Sequence, residues 1–262
     1  MKKNLLFVAL LLCAVGVKAQ VNIQEMYDFN RGHFTTTLEM FKADKWGSTF
    51  FFNDIYHPND VIPDGYYTEI SRSINFWKGT ALAPLSLHAE WNGGQYATNS
   101  WLFGIEYFLH SADYRNTLTL ELMYKEIRGI ATDYTPLQFT VVWGMQDLLG
   151  IDGLSFSGFL DIWGESNTWV VPPTTGGYPL VIAKNSKDDP VATPSVETTD
   201  WVLLAEPQLW YNIGRHFGCP NLNIGGEVEI AYNFTGGYHP FDSYYENKGL
   251  TVAPCLGVKW NF

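Results

Sequence analysis

Along most of this chain the side chains change character at every second residue. Leu118, Leu120, Leu122 and Tyr124 alternate with Thr117, Thr119, Glu121 and Lys125, and Leu137, Phe139, Val141, Trp143 and Met145 alternate with Gln138, Thr140, Val142 and Gly144. A period of two puts one set on each face of a β-strand, whereas a helix needs a period near 3.6. Leu85, Leu87, Ala89 and Trp91 oppose Ser86, His88, Glu90 and Asn92, and Leu222, Ile224, Val228, Ile230 and Tyr232 oppose Asn223, Glu227, Glu229 and Asn233. The last run, Leu250 to Phe262, keeps an apolar file of Leu250, Val252, Pro254, Leu256, Val258, Trp260 and Phe262 against Thr251, Ala253, Cys255, Gly257, Lys259 and Asn261. Such alternation excludes an α-helical or α/β chain. It leaves a sandwich or a barrel.

About twelve such runs follow one another, near 21–30, 34–43, 47–57, 66–76, 84–93, 99–110, 115–127, 134–145, 152–165, 199–213, 221–234 and 249–262. Each is long enough for a tilted membrane strand of about 9–11 residues, and an even number returns both ends to one side. Connections after even-numbered runs, such as Ala43 to Trp46 and Ser111 to Tyr114, are short, whereas several after odd-numbered runs are long. Short turns on one side and long loops on the other is the pattern of an outer-membrane barrel rather than a soluble sandwich. The reading is therefore all-β: one transmembrane antiparallel barrel of about twelve strands, with short periplasmic turns and longer extracellular loops. The longest connection, about 165–198, is turn-rich and polar and reads as an external loop. Phe50, Phe51 and Phe52 in a row leave the facing of the third run open, and Pro207 and Pro254 each remove a ladder hydrogen bond, so a bulge or seam is expected there.

Composition supports the membrane reading. Charged residues make up 16% and aromatics another 16%, with 10 Trp, 15 Tyr and 17 Phe, against roughly 25% charged in a typical soluble domain. Residues 1–19 read as a secretory signal peptide, with Lys2 and Lys3, an apolar core from Leu5 to Val15, and Val17-Lys18-Ala19 as a cleavage site. The expected barrel, 20–262, then belongs in the outer membrane of a Gram-negative bacterium. Its formal charge falls from −11 to −14, because the removed segment holds three lysines and no acid. This disfavours nucleic acid as a partner. Outer-membrane lipid and a small-molecule solute are the expected partners. Cys219 and Cys255 sit in a short turn and far along a strand, and both are expected to be free.

If the apolar face meets lipid, the other lines a lumen. That face carries Glu39, Glu69, Glu90, Glu106, Glu121, Asp161, Glu206, Glu227 and Glu229, with His88, Lys125 and Lys259 as its chief bases. Such a lining repels anions and admits cations or neutral hydrogen-bonding solutes. Phe108, Phe159, Trp163 and Trp210 share the face, and aromatic rings beside carboxylates suit a sugar joined to a heterocycle. The competing reading is that inward rings fill space and inward glutamates pair with neighbouring bases. The histidines show no metal-ligand spacing, so no metal and no cofactor is expected.

The stretches LEMFKADKWGSTFFFNDIYH (Leu38 to His57), GYYTEISRSINFWKG (Gly65 to Gly79), LAPLSLHAEW (Leu82 to Trp91), GFLDIWGES (Gly158 to Ser166) and LGVKWNF (Leu256 to Phe262) resemble the Tsx-type nucleoside-specific channels of bacterial outer membranes. The composition is similar to an uncharacterised Bacteroides-type branch of that family. The resemblance implies a monomer with a narrow pore for nucleosides. It points to Glu39 and Phe41, Glu69, Glu90 and Trp91, and Asp161 and Trp163, although Trp91 falls on the apolar face and the 165–198 stretch has no counterpart. By resemblance to outer-membrane proteins generally, Trp260 and Phe262 are the expected signal for barrel-assembly machinery, and Phe262→Asp should impair assembly more than conductance.

Two other barrel readings remain, beside a soluble exported β-sandwich that binds polysaccharide through its tryptophans. A general or sugar porin would share the acidic lumen. A barrel enzyme of lipase or protease type would need a triad, for which Ser86 with His88, or Asp54 with His57, are partial candidates lacking a third member. The expectation is a passive channel and not an enzyme.

Overall fold

A computed structural model describes residues 19–58, 63–95, 99–128, 135–171, 195–234 and 249–262. The signal-peptide segment up to residue 18 and most of the expected long loop lie outside those residues.

Thirteen strands follow in chain order: β1 Gln20–Asp28, β2 His33–Asp44, β3 Gly47–His57, β4 Tyr66–Ile74, β5 Leu85–Gly94, β6 Ser100–His110, β7 Asn116–Ile127, β8 Leu137–Gln146, β9 Leu154–Val171, β10 Ser195–Ala205, β11 Gln208–Tyr211, β12 Leu222–Tyr232 and β13 Leu250–Asn261. Each pairs antiparallel with its neighbours, and β13 pairs with both β12 and β1. The sheet therefore closes and leaves no edge. β10 and β11 occupy one position, both lying between β9 and β12. Twelve staves result, the tenth of them broken. Among the described residues no helix is long and apolar enough to cross a membrane.

The break lies at Glu206-Pro207. Proline has no N–H to donate to a ladder; Pro207 O instead accepts from Val228 N at 3.0 Å. The expected single run 199–213 is thus corrected to two strands. Pro254 causes no such break: it stays in register opposite Val228, and its carbonyl accepts from Phe29 N at 3.1 Å. The expected 165–198 loop also needs correction, because pairing of β9 with β10 runs from Leu160↔Ala205 out to Val171↔Ser195, past the predicted ends of both runs. Not all connections at the end that holds both termini are short, since 75–84 and 212–221 are longer and the latter contains a 3-10 turn, Ile213–Phe217.

Facing follows the alternation. Ile23, Ile70, Leu87, Phe103, Leu122, Phe139, Leu256 and Val258 are exposed on the outer surface, and Trp260 and Phe262 continue that file to the end of β13. Buried polar residues such as Gln24, Ser73, His88, Glu121 and Gln138 lie on the other face. In β3 the ambiguity resolves by pairing: Thr37 on the inner face donates to Asp54 Oδ1 at 2.5 Å, which turns Phe50 and Phe52 inward and Phe51 outward. Some polar groups depart from the apolar exterior. Thr36 Oγ1 donates to Glu25 Oε2 at 2.6 Å and lies 2.9 Å from His57 Nε2, so these outer-face groups satisfy one another.

Two turns show how local sequence sets the hairpins. Asp28 Oδ1 accepts from the backbone N–H of Asn30 at 2.7 Å and Arg31 at 2.8 Å, and Gly32 supplies the left-handed φ of 69°. Asp44 Oδ1 accepts in the same way from Trp46 and Gly47, at 2.7 and 3.0 Å. Both are aspartate side chains standing in for a backbone acceptor. Cys219 and Cys255 are free thiols.

Candidate functional site: the lumen

The barrel encloses a cavity of about 3280 Å³. Strand pairing aligns its most conspicuous feature. Glu106 lies opposite Glu121, Glu121 opposite Thr140, and Thr140 opposite Asp161, so one inward ladder row crosses β6 to β9. Glu69 and Glu90 stand one diagonal step apart on β4 and β5, where Glu69 pairs with Asn92 and Glu90 with Ser71. These five carboxylates make an acidic ledge on one wall. Glu39 on β2, Glu206 at the stave break, and Glu227 and Glu229 on β12 also line the cavity.

Much of this chemistry is tied into networks. Lys125 Nζ donates to Gln138 Oε1 at 2.7 Å, Gln138 Nε2 to Thr140 Oγ1 at 3.0 Å, and Thr140 Oγ1 to Asp161 Oδ1 at 2.5 Å. Asn22 donates to Glu39 at 2.8 Å, Tyr67 to Glu69 at 2.6 Å, and Gln208 to Glu227 at 2.9 Å. Neutral donors therefore hold many of the carboxylates.

The aromatic residues divide. Phe41, Phe108 and Phe159 line the cavity, with Phe41 41% exposed. Trp210 is 1% exposed, packed against Met26 and Cys255, with Lys259 Nζ 4.3 Å from its ring centroid. Trp163 points inward but is covered: it packs with Ile127 and Val202, and Lys125 Nζ sits 3.8 Å over its ring. Its expected place on an open wall is corrected to a packed cluster, because Ile127 and Val202, with Leu204 and Phe234 at the margin, meet it there.

The partial catalytic candidates do not assemble. Asp54 faces inward to Thr37 while His57 faces outward to Thr36, so they lie on opposite sides of the sheet. His88 Nδ1 lies 3.1 Å from Ser73 rather than meeting Ser86.

Sequence periodicity missed two participants. Arg31, in the β1–β2 turn, folds over the lumen to Asp28 Oδ2 at 2.8 Å and both oxygens of Glu229 at 2.7 Å. A turn residue has no strand parity, so no alternation signal could reveal it. The second is the gathering of His88, Glu90 and Glu121, whose ligand-type atoms lie within 4.8 Å of one another. They come from two strands that are not neighbours, β5 and β7, so their spacing in sequence carries no signature.

Comparison with known proteins gives a fold relative and a family. The structure titled "NanC porin structure in rhombohedral crystal form" matches with a TM-score of 0.51 at 9% sequence identity, covering 92% of this chain and 100% of that one. At that identity the likeness is one of fold, a twelve-stave antiparallel barrel. No curated protein matches the chain. Neither finding speaks to nucleosides. The model of the family described as "Domain of unknown function (DUF5020)" matches residues 22–262, nearly the full length, and the chain belongs to that family.

Proposed function

We propose that the protein is a channel of the Gram-negative outer membrane through which small neutral or cationic solutes diffuse passively, nucleosides first among them. The observation that carries this reading is the acidic ledge of Glu69, Glu90, Glu106, Glu121 and Asp161 inside a closed barrel whose exterior is apolar. Only a helix or a closed barrel satisfies every backbone group within lipid, and an exterior of exposed leucine, isoleucine and phenylalanine is at home there. Carboxylates in a confined, low-dielectric passage focus a negative potential that concentrates cations and turns anions away.

The nucleoside assignment rests on less. Phe50, Phe52, Phe108 and Phe159 line the same cavity as the carboxylates, which offers ring faces for a heterocycle and acceptors for ribose hydroxyls. It draws also on the resemblance of the strand segments to nucleoside channels.

The test is electrical. The refolded barrel, placed in a planar bilayer under a KCl gradient, should give a reversal potential that favours K⁺, and thymidine or adenosine at millimolar concentration should reduce the current. Chloride preference would overturn the role given to the acidic lining. Cation preference without nucleoside block would leave a general or sugar porin.

A further inference from the structure

We propose that His88, Glu90 and Glu121 form a binding site on the lumen wall for one divalent transition-metal ion of the Zn²⁺ class. The ligand-type atoms of these three residues lie within 4.8 Å of one another, and His88 is 6% exposed. Glu106 stands beside them, 3.4 Å from His88 Nδ1, and accepts a hydrogen bond from the Ser73 hydroxyl.

Glu121 supplies the independent sign that something is to be bound there. It is 6% exposed, yet its carboxylate accepts no hydrogen bond from any described residue, and its closest cation is His88 Nδ1 at 4.0 Å. That separation is beyond hydrogen-bonding reach. A nearly buried carboxylate that lines the cavity without a hydrogen-bond donor is placed to take a cation from it. His88 cannot serve all its neighbours either. Its two nitrogens face three glutamates, at 3.3 Å to Glu90, 3.4 Å to Glu106 and 4.0 Å to Glu121. Charge-assisted N–H to carboxylate bonds run nearer 2.7–2.9 Å.

The same separations suit a shared metal. Ligands about 2.1 Å from a tetrahedral ion stand roughly 3.4 Å from one another. His88 Nε2 and Glu90, 3.3 Å apart, already match, and Glu121, whose ligand atom lies within 4.8 Å of the other two, completes the set by turning its carboxylate toward Nε2. One imidazole nitrogen takes the ion while the other faces a glutamate, the carboxylate–histidine–metal arrangement that orients the ring. A nitrogen donor among carboxylates selects a borderline transition ion over Ca²⁺ or Mg²⁺, which prefer shells made wholly of oxygen. Strand pairing preorganises the set, since Glu106 and Glu121 are direct partners and His88 is one diagonal step from Glu106.

Binding requires the folded barrel but not conduction, so the two readings can fail separately. Isothermal titration of the full refolded chain in detergent with ZnCl2, and in parallel with CaCl2, should give one Zn²⁺ per chain and much weaker Ca²⁺ binding. Glu121→Gln keeps the shape of the side chain and should weaken Zn²⁺ binding by about tenfold or more. His88→Asn should do the same, while Asp152→Asn, in a distant turn, should bind as the parent does. Heat-modifiable gel mobility checks that each variant is folded. The site is refuted if Zn²⁺ fails to saturate at one equivalent, if folded Glu121→Gln and His88→Asn retain parent affinity, or if Ca²⁺ binds equally well. Zn²⁺ binding by a barrel that passes no current would retain the site and reject the channel; current without Zn²⁺ binding would do the reverse.

Discussion

Arg31 fastens the seam at which the barrel closes, and replacing it tests how closure is stabilised. The seam consists of β12, β13 and β1, in that order. From the β1–β2 turn, Arg31 reaches across β13 to grip Glu229 on β12 through two hydrogen bonds of 2.7 Å, and it holds Asp28 on β1 at 2.8 Å. It can cross because Glu229 pairs with Ala253, whose small side chain leaves the way clear. Nearby, Asn30 Nδ2 donates to Val252 O at 2.7 Å, so the same turn also clamps β13 through its backbone. Hydrogen bonds to charged groups contribute roughly 1.5–3 kcal/mol each when shielded. The Arg31 side chain is 40% exposed, which discounts them. Asp28 would keep its backbone donors from Asn30 and residue 31, so the loss in Arg31→Ala falls mainly on Glu229. A net cost of about 2 kcal/mol follows, close to a thirtyfold change in the folded-to-unfolded ratio. Urea unfolding of the refolded barrel in micelles, followed by tryptophan fluorescence, measures it. Arg31→Lys keeps the charge without the planar fork and should recover only part of the loss. In a double-mutant cycle with Glu229→Gln, about half of the cost should appear as coupling. A shift below about 0.5 kcal/mol together with zero coupling would show that the seam is held by its backbone ladder alone, and would refute the argument.

Trp210→Ala should destabilise the barrel by about 3 kcal/mol, from lost burial and the lost Lys259 contact, and should raise single-channel conductance, since the ring occupies the lumen beside Met26 and Cys255; an unchanged unfolding midpoint and conductance would contradict its role as a filler. At the end that holds the termini, the hydrogen bond from Arg215 holds the Asp152 carboxyl below its ordinary range. A lowered folded-state pKa stabilises above the unfolded value near 4 and loses that contribution as pH falls through the folded value. Asp152→Asn should therefore flatten the acid limb of stability below about pH 4, read from heat-modifiable mobility across a pH series; an acid limb identical to the parent's would rule out the contact as its source.

Alternation alone revealed the all-β class, the number of staves and the facing of most residues, because in a closed sheet every strand meets the same two environments. Leu122 against Glu121, or Val258 against Lys259, needs no tertiary knowledge to assign. The short connection from Ala43 to Trp46 was legible too, but the Asp44 side chain that accepts from Trp46 and Gly47 was not. Periodicity was silent wherever the cause was not periodic. The length of β9 and β10 past the predicted boundaries depends on one pairing with the other, and the break at Pro207 rather than Pro254 depends on which carbonyls and amides lie opposite.

The acidic face was present in the order of residues, but its arrangement was not. Each glutamate's inward direction comes from its own strand and is a local property. Which glutamates stand together depends on register, a relation between strands far apart in sequence that a shift of one residue would destroy. So the chain by itself determined that a barrel would have an apolar exterior and an acid-rich interior. Only the closed sheet decided that Glu106, Glu121 and Asp161 share one row, that Trp163 is covered while Phe159 is not, that Arg31 spans the seam, and that His88 meets three carboxylates at once. The physical reason is that strand facing is set by neighbours one bond away, whereas a site is set by neighbours across hydrogen bonds.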